Sequence, residues 1–378
     1  MADNDKGGLE GIVVARSRMC SIDGQNGVLI YGGYDVKELA KASNYEETAY
    51  LLLRGELPSR EQYDEFDGRL KRARFNHSKE MSDVVDALAA RGAAPMEMLR
   101  TAVSTDSFDD PLKDDNSEDA NFAKTIGLIG RIPVIIARYT RRRRGLEPVD
   151  ADPELSHAAN FLWMLHGEKP SDHAVKTFDT ALILHADHEM NASTFTARVI
   201  ASTLSDLHSA IVGAIGALKG PLHGGANEQV MLVLEELHAS GKKPADAVRE
   251  KLERKERIMG FGHRVYKTYD PRAMILKEMA RDLAVEHPGE EYLFELSEET
   301  EQVVTHEKKL YPNVDFYSAS TYHYLGIPTD VFTTIFAMSR VVGWAAHVIE
   351  QHNDNRLIRP SSEYVGPPPR AYVEIAER

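Results

Sequence analysis

The sequence predicts a mainly α-helical fold with a short β element at its start. Strand-like patterning is confined to residues 12–35, apolar residues after Tyr34 recur at helical rather than alternating spacing, and no strand–helix–strand rhythm follows. At 378 residues, 42% of them hydrophobic and 28% charged, the chain has material for a sizeable core. A prior of about 100–200 residues per domain gives two or three domains.

The first element is the β region. Ile12-Val13-Val14 and Val28-Leu29-Ile30-Tyr31 read as strands, separated by the turn signals Asp23-Gly24 and Asn26-Gly27. Ser43-Asn44-Tyr45-Glu46 is a capping-box pattern that opens a helix through Ala49, Tyr50, Leu52 and Leu53, with Gly55 placed to end it. Residues 106–119 carry seven acids and one lysine and read as an exposed loop. Arg141 to Arg144 close a helical run before Gly145, a solvated helix end favoured over a phosphate site. In 204–218, Leu204, Leu207, Ile211, Ala214, Ile215 and Leu218 form one stripe. Ala210, Gly213, Gly216 and Ala217 leave the other face open to a second helix or a subunit. Residues 331–350 are apolar on nearly all sides and should be buried.

Composition excludes some function classes. Lys+Arg total 45 against 59 Asp+Glu, a net charge of −14, which disfavours a nucleic-acid or anionic-membrane binder and requires any anionic ligand to meet a local basic cluster. The single Cys20 excludes an intramolecular disulfide and a cysteine-based zinc site, and suits a reducing cytoplasm. Met1-Ala2-Asp3-Asn4-Asp5 lacks the basic-then-apolar order of a signal peptide, and apolar runs such as Ile132 to Ala137 are short of a membrane span. A soluble intracellular protein is the expectation.

Four segments concentrate chemistry. In Leu184 to Asn191, His185 and His188 would share one side of a helix as a metal pair, or sit as satisfied histidines in a buried polar turn. Gly220 to Asn227 presents His223 just before a helix beginning near Asn227; the glycines alone would also explain the segment. Gly260-x-Gly262 lacks the third glycine of a dinucleotide loop and follows a charged helix face, Glu253 to Arg257, rather than a strand. What remains is a loop presenting His263, Lys267 and Arg272 to anions. Asp315 lies between Val314 and Phe316, where desolvation favours a general base; a helix cap is the alternative. Arg340 interrupts an apolar helix with no acid within one turn, so it needs an anionic partner. Arg356 and Arg359 follow. With no serine elbow, Walker loop or cysteine nucleophile, this inventory suits proton abstraction beside a carbonyl and carbon–carbon bond formation on a polyacid.

At these motifs the chain resembles the citrate synthase family. The likeness is carried by Gly220-Pro221-Leu222-His223-Gly224-Gly225-Ala226, by Gly260-Phe261-Gly262-His263-Arg264-Val265-Tyr266 with Asp270-Pro271-Arg272, and by Pro312-Asn313-Val314-Asp315-Phe316-Tyr317, in the family's order. It extends from Gly8-Leu9-Glu10-Gly11 and Ile22-Asp23-Gly24 to Arg359-Pro360. The resemblance implies a homodimer with a large helical domain (1–218 and 325–378) and a small mobile domain (219–324) inserted in it. It implies condensation of acetyl-CoA with oxaloacetate and water, giving citrate and CoA without a metal or further cofactor. Asp315 would take the acetyl proton, His223 would donate to the thioester oxygen, and His263, helped by His188, would polarise the oxaloacetate carbonyl. Asn191, Arg272, Arg340 and Arg359 would bind substrate, Arg359 from the partner subunit. Lys267, Arg257, Gly260 and Gly262 would face CoA, although Lys251 to Arg257 reads equally as a solvated helix face.

Two departures accompany the resemblance. Ser361-Ser362 stand where many relatives have another basic residue, which weakens a phosphate contact there, and the longer N-terminal β-rich region of hexameric, NADH-inhibited relatives is lacking, which implies the dimeric type. The nearest rival is 2-methylcitrate synthase acting on propionyl-CoA, since one methylene is worth only about 1–3 kcal/mol. A metal-dependent hydrolase built on His185, Asp187 and His188, and an inactive CoA binder, are the more distant ones.

Overall fold

The computed structural model describes residues 7–9 and 11–378; the Met1–Asp5 stretch and Glu10 of the Gly8–Gly11 motif lie outside the described residues. The β element is a three-stranded antiparallel sheet of β1 (Cys20–Asp23), β2 (Val28–Tyr31) and β3 (Tyr34–Asp35), in that order, with Cys20 opposite Tyr31 and Asp23 opposite Val28. Ile12-Val13-Val14 forms no strand, and Ile12 and Val13 are exposed. The hairpin starts later because one loop holds both turn signals: the Asp23 carboxylate accepts the backbone N–H groups of Gln25 and Asn26, each at 3.0 Å. β-branched composition alone gave the earlier segment no strand to pair with.

Helices dominate the rest. The first run is α1 (Val36–Ala42), α2 (Tyr45–Arg54), α3 (Arg60–Ala73), α4 (Lys79–Ala90), α5 (Pro95–Asp106) and α6 (Glu118–Arg143). The cap of α2 sits one residue further on than predicted: Asn44 accepts from Glu47 N at 2.8 Å, while Glu46 turns inward to accept from His157 N at 2.7 Å. Gly55 ends α2 in the left-handed region at φ 84°. Residues 107–117 between α5 and α6 are mostly exposed. The basic end of α6 is used structurally, with Arg142 on Asp86 and Glu147 and Arg143 on Asp330.

Next come α7 (His157–His166), α8 (Asp172–His185), α9 (Ala192–Ser202) and α10 (Leu207–Leu218). Leu204 falls outside α10 and is exposed, so it leaves the predicted stripe. The small face of α10 receives α9: a Cβ on Gly213 would stand 2.2 Å from Ile200 Cδ1. The chain continues through α11 (Ala226–Ala239), α12 (Pro244–Glu253), α13 (Pro271–Glu286), α14 (Tyr292–Lys308) and α15 (Val314–Tyr324). Among these, α15 packs on α13 and α11, and α12 on α14.

The last helix, α16 (Phe332–Asn353), is buried along almost its whole length and packs against α2, α5, α6, α8, α9, α10 and α11. Segments Glu118–Arg143 and Thr329–Asn353 are long and apolar enough to cross a membrane, longer than the apolar runs in the sequence suggested. Their apolar windows are 89% and 100% buried inside the protein, as in core helices. Residues 354–378 form an almost wholly exposed terminal segment.

Two close approaches fix the surroundings of the loops. A Cβ on Gly343 of α16 would lie 2.3 Å from the Ala186 carbonyl oxygen, and one on Gly24 would lie 2.3 Å from the Val265 carbonyl oxygen. The β1–β2 loop therefore rests directly on residues 265–267, where Lys267 N donates to Gly24 O at 2.8 Å.

Candidate active site

The loops after α8, before α11 and before α13 converge with the first turn of α15 and the middle of α16. α8 ends at His185, so His185 and His188 do not share a helix face. His185 Nδ1 donates to the Ala181 carbonyl at 2.8 Å, and burial pushes this imidazole down to about 3. His188 follows in the turn, its Nε2 3.3 Å from Tyr266 Oη and its ring 5.2 Å from that of His263. Burial, then Arg272, holds its pKa well below the ordinary histidine value. Among the described residues, no group of three or more His, Cys, Asp or Glu side chains is placed to hold a metal ion.

The same turn is pinned from several sides. Tyr31 Oη of β2 donates to the Asp187 carbonyl at 2.7 Å. Asn191 caps α9, accepting from Thr194 N at 3.1 Å and donating to the carbonyls of His188 and Glu189 at 3.3 and 3.4 Å. Its polar atoms are spent on the backbone and on the Ser193 hydroxyl, which donates to its Oδ1 at 2.8 Å, so in this structure it holds the turn. The Asp187 carboxylate is fully buried 3.4 Å from His347 Nε2. Burial opposes its charge, but His347 and Arg340 outweigh burial and hold it below the usual range.

The two remaining histidines have readable tautomers. His263 Nδ1 accepts from the backbone N–H groups of Val265 and Tyr266 at 3.0 and 3.1 Å, so the proton is on Nε2. His223 Nε2 accepts from Ser193 N at 3.3 Å and lies 2.7 Å from Ser193 Oγ, which leaves the proton on Nδ1. Trp344 Nε1 of α16 donates to that same hydroxyl at 3.0 Å. Burial first, then Arg340 for His223 and Arg272 for His263, brings both down to about 4. Each is therefore a neutral imidazole with one N–H to give.

Asp315 lies in the first turn of α15, but Asn313 is the cap, accepting from Asp315 N at 3.1 Å; the cap alternative falls to that neighbour. Burial pushes the Asp315 carboxyl up to about 7, with Arg272 and Arg340 lowering it and Asp270 raising it. Its Oδ1 is buried without a partner.

The arginines differ. Arg272, at the start of α13, is buried and forks onto Asp270, Nε to Oδ1 at 3.0 Å and Nη2 to Oδ2 at 2.8 Å. Arg340 is also buried, donates from Nε to the His185 carbonyl at 2.6 Å, and has Nη2 without a partner. Arg359 is exposed on the terminal segment and is not brought to this cleft.

The glycine-rich loop is tied to the strand-like residues ahead of Asp315. Gly262 N donates to Tyr311 O and Asn313 N to Gly260 O, both at 2.9 Å. Gly260 and Gly262 have φ of 84° and 80°, and a Cβ on Gly260 would meet Phe316 at 2.9 Å. Lys267 and Arg257 are exposed. The charged helix face predicted at 253–257 is not one, because α12 stops at Glu253. Lys251 is buried on Glu236 and Glu256 at 2.7 and 3.0 Å, and Arg254 is paired with Glu256 at 2.6 Å, so these two cations of the run are occupied by neighbouring acids.

Tyr266 and Asp270 stood in the motifs without a role of their own, and Ser193 and Trp344 were not singled out. Asp270-Pro271 carried a signal, a capping acid before proline at the first helical position. Ser193 and Trp344 carried none, since their partners lie 30 and 151 residues away. The assembled groups are a carboxyl of raised pKa, two neutral N–H donors and a buried guanidinium. Together they suit removing a carbon-bound proton while hydrogen-bonding the oxygen that gains charge.

Comparison with known proteins agrees. The family model for the C-terminal domain of citrate synthase matches residues 8–361. The citrate synthase of Haloferax volcanii is 47% identical over 381 residues, covering 100% of both chains. The 2-methylcitrate synthase of Shewanella oneidensis is 43% identical over 375 residues, covering 98% of this chain and 97% of its own. Among solved structures, a ternary complex of the Thermoplasma acidophilum citrate synthase with carboxymethyl coenzyme A and oxaloacetate matches with a TM-score of 0.92. It is 36% identical, with 98% of each chain covered.

Proposed function

The chain belongs to the citrate synthase family, and on that premise we propose that it condenses acetyl-CoA with oxaloacetate and water to give citrate and CoA. The observation that carries this reading is the gathering of Asp315, whose carboxyl is raised to about 7, and the neutral donors His223 and His263 around the buried Arg272 and Arg340. Asp315 takes a proton from the acetyl methyl group. His223 Nδ1–H hydrogen-bonds the thioester oxygen as the enolate forms, and the new carbon nucleophile attacks the oxaloacetate carbonyl, which His263 Nε2–H polarises with His188 beside it. Water then cleaves the thioester and CoA leaves.

Arg340 and Arg272 take the substrate carboxylates, with Arg359 of the partner subunit completing the set, so the working unit is a homodimer. The exposure of Arg359 on an extended segment supports its reaching a neighbouring copy. Residues 219–324 act as a small domain that closes over the large one, which excludes water from the enolate. The glycines at 260 and 262 and the exposed Lys267 and Arg257 flank the CoA end. The reaction needs no metal or further cofactor, and its place is the cytoplasm.

The Shewanella relative favours a second reading, 2-methylcitrate synthesis from propionyl-CoA. CoA thiol release from acetyl-CoA and propionyl-CoA, each with and without oxaloacetate in chelator-containing buffer, separates the two. Oxaloacetate-dependent release favouring acetyl-CoA is expected; preference for propionyl-CoA transfers the chain to the second reading, and no release from either defeats both.

A further inference from the structure

Asp270 spends its carboxylate on Arg272 and on the residue before Asp315, and so joins two groups to which the reading above gives substrate roles. Its carboxylate accepts four hydrogen bonds: Oδ1 from Arg272 N and Nε, each at 3.0 Å, and Oδ2 from Arg272 Nη2 at 2.8 Å and Val314 N at 3.2 Å. That exhausts the acceptor capacity of a carboxylate. Val314 opens α15 and immediately precedes Asp315. We infer that Asp270 is a positioning residue that couples the guanidinium seat of the substrate carboxylate to the placement and charge of the proton-abstracting Asp315; this rests on the reading above.

The argument is geometric and electrostatic. Asp270 is buried and caps α13, so its carboxylate has no freedom to move except with the Arg272 fork. The fork leaves Arg272 Nη1 for a carboxylate ligand, and any shift of the guanidinium passes through Asp270 to the first peptide of α15. The charges facing Asp315 are Asp270 and Arg272 from the start of α13 and Arg340 from α16, with the buried Tyr322 hydroxyl on α15 and His263 in the loop that faces Asp270. Asp270 disfavours the ionised base, whereas both arginines favour it. Removing its charge also frees Arg272 to act on Asp315, and both changes push the base in the same direction, toward weaker proton affinity.

Two variants test this. Asp270→Asn keeps a capping oxygen and loses the charge; kcat is expected to fall about 10–100-fold and the acid limb of the pH profile to move down by on the order of 1 pH unit. Val314→Pro removes the N–H that Asp270 holds and leaves an apolar ring in place of the buried valine side chain. Proline is tolerated at a first helical position after an extended residue, here Asn313 at φ −95° and ψ 179°. This variant should lose kcat while its acid limb and KM for oxaloacetate stay put, a split that general loosening of the fold does not produce. If Asp270→Asn does not fold, Val314→Pro still decides. A folded Asp270→Asn enzyme with unchanged kcat and acid limb, or a Val314→Pro enzyme with unchanged kcat, overturns the inference. A parent enzyme without oxaloacetate-dependent CoA release defeats the proposed function instead.

Discussion

Burial gives Asp315 the proton affinity that a carboxylate needs to act on a carbon acid, and burial also keeps the histidines around it uncharged. A pH profile follows from these opposite shifts. The base must be ionised to work, so kcat/KM for acetyl-CoA should rise with pH and level off above about 7, the value to which the Asp315 carboxyl is raised. His223 and His263 titrate near 4 and stay neutral throughout that limb. A limb centred near 4, the ordinary carboxylate range, would show that burial does not raise Asp315 in the working enzyme. Asp315→Asn should cost several orders of magnitude in kcat while calorimetry still detects oxaloacetate binding. Asp315, His223, His263 and Arg340 were legible in the sequence because each stands out from its immediate neighbours. The residues that set their tautomers and charges were not, because Ser193 beside His223 and Asp187 near Arg340 meet them only in the folded chain.

Helix identity was legible in three different ways: α2 from a capping pattern, α10 from an apolar stripe, and α16 from a long run apolar on nearly all sides. Local pattern failed where the deciding partner was distant. Ile12–Val14 had strand composition without a strand to pair with, and the run at 251–257 looked like one charged face until ion pairs with Glu236 and Glu256 and a stop at Glu253 divided it. At this scale the contact between α16 and the turn after α8 is the most exacting. Gly343→Ala would drive a methyl group into the Ala186 carbonyl and the Asp187 carboxylate, 2.3 and 2.8 Å away. An overpacking cost of about 1–3 kcal/mol is expected, together with a raised KM for oxaloacetate because His188 sits on that turn. A melting temperature and KM equal to the parent's would show that α16 can yield.

The molecule as a whole is more than one chain shows by itself if Arg359 completes a neighbour's site. Subunit mixing tests this. Asp315→Asn and Arg359→Ala chains are each expected to be inactive as homodimers. In a mixed dimer, one site then collects both lesions and the other collects neither, so dissociating and reassociating the two inactive proteins together should restore part of the activity. No recovery would mean that Arg359 serves its own chain or neither. Hydropathy marks no domain boundary at 219 or 324, since α11 to α15 are as ordinary in composition as the helices around them; the division proposed there rests on family motifs alone.

The order of the helices also bears on how the protein is made. α16 is the last α-helix of the described residues and the one around which α2, α5, α6, α8, α9 and α10 gather. At about 5–20 residues per second, a ribosome spends tens of seconds exposing the apolar faces of those helices before their shared partner emerges. The core therefore closes only once Phe332–Asn353 has left the ribosome. A stop just before Phe332 would yield a polypeptide with α1 to α15 and no centre for them to pack on.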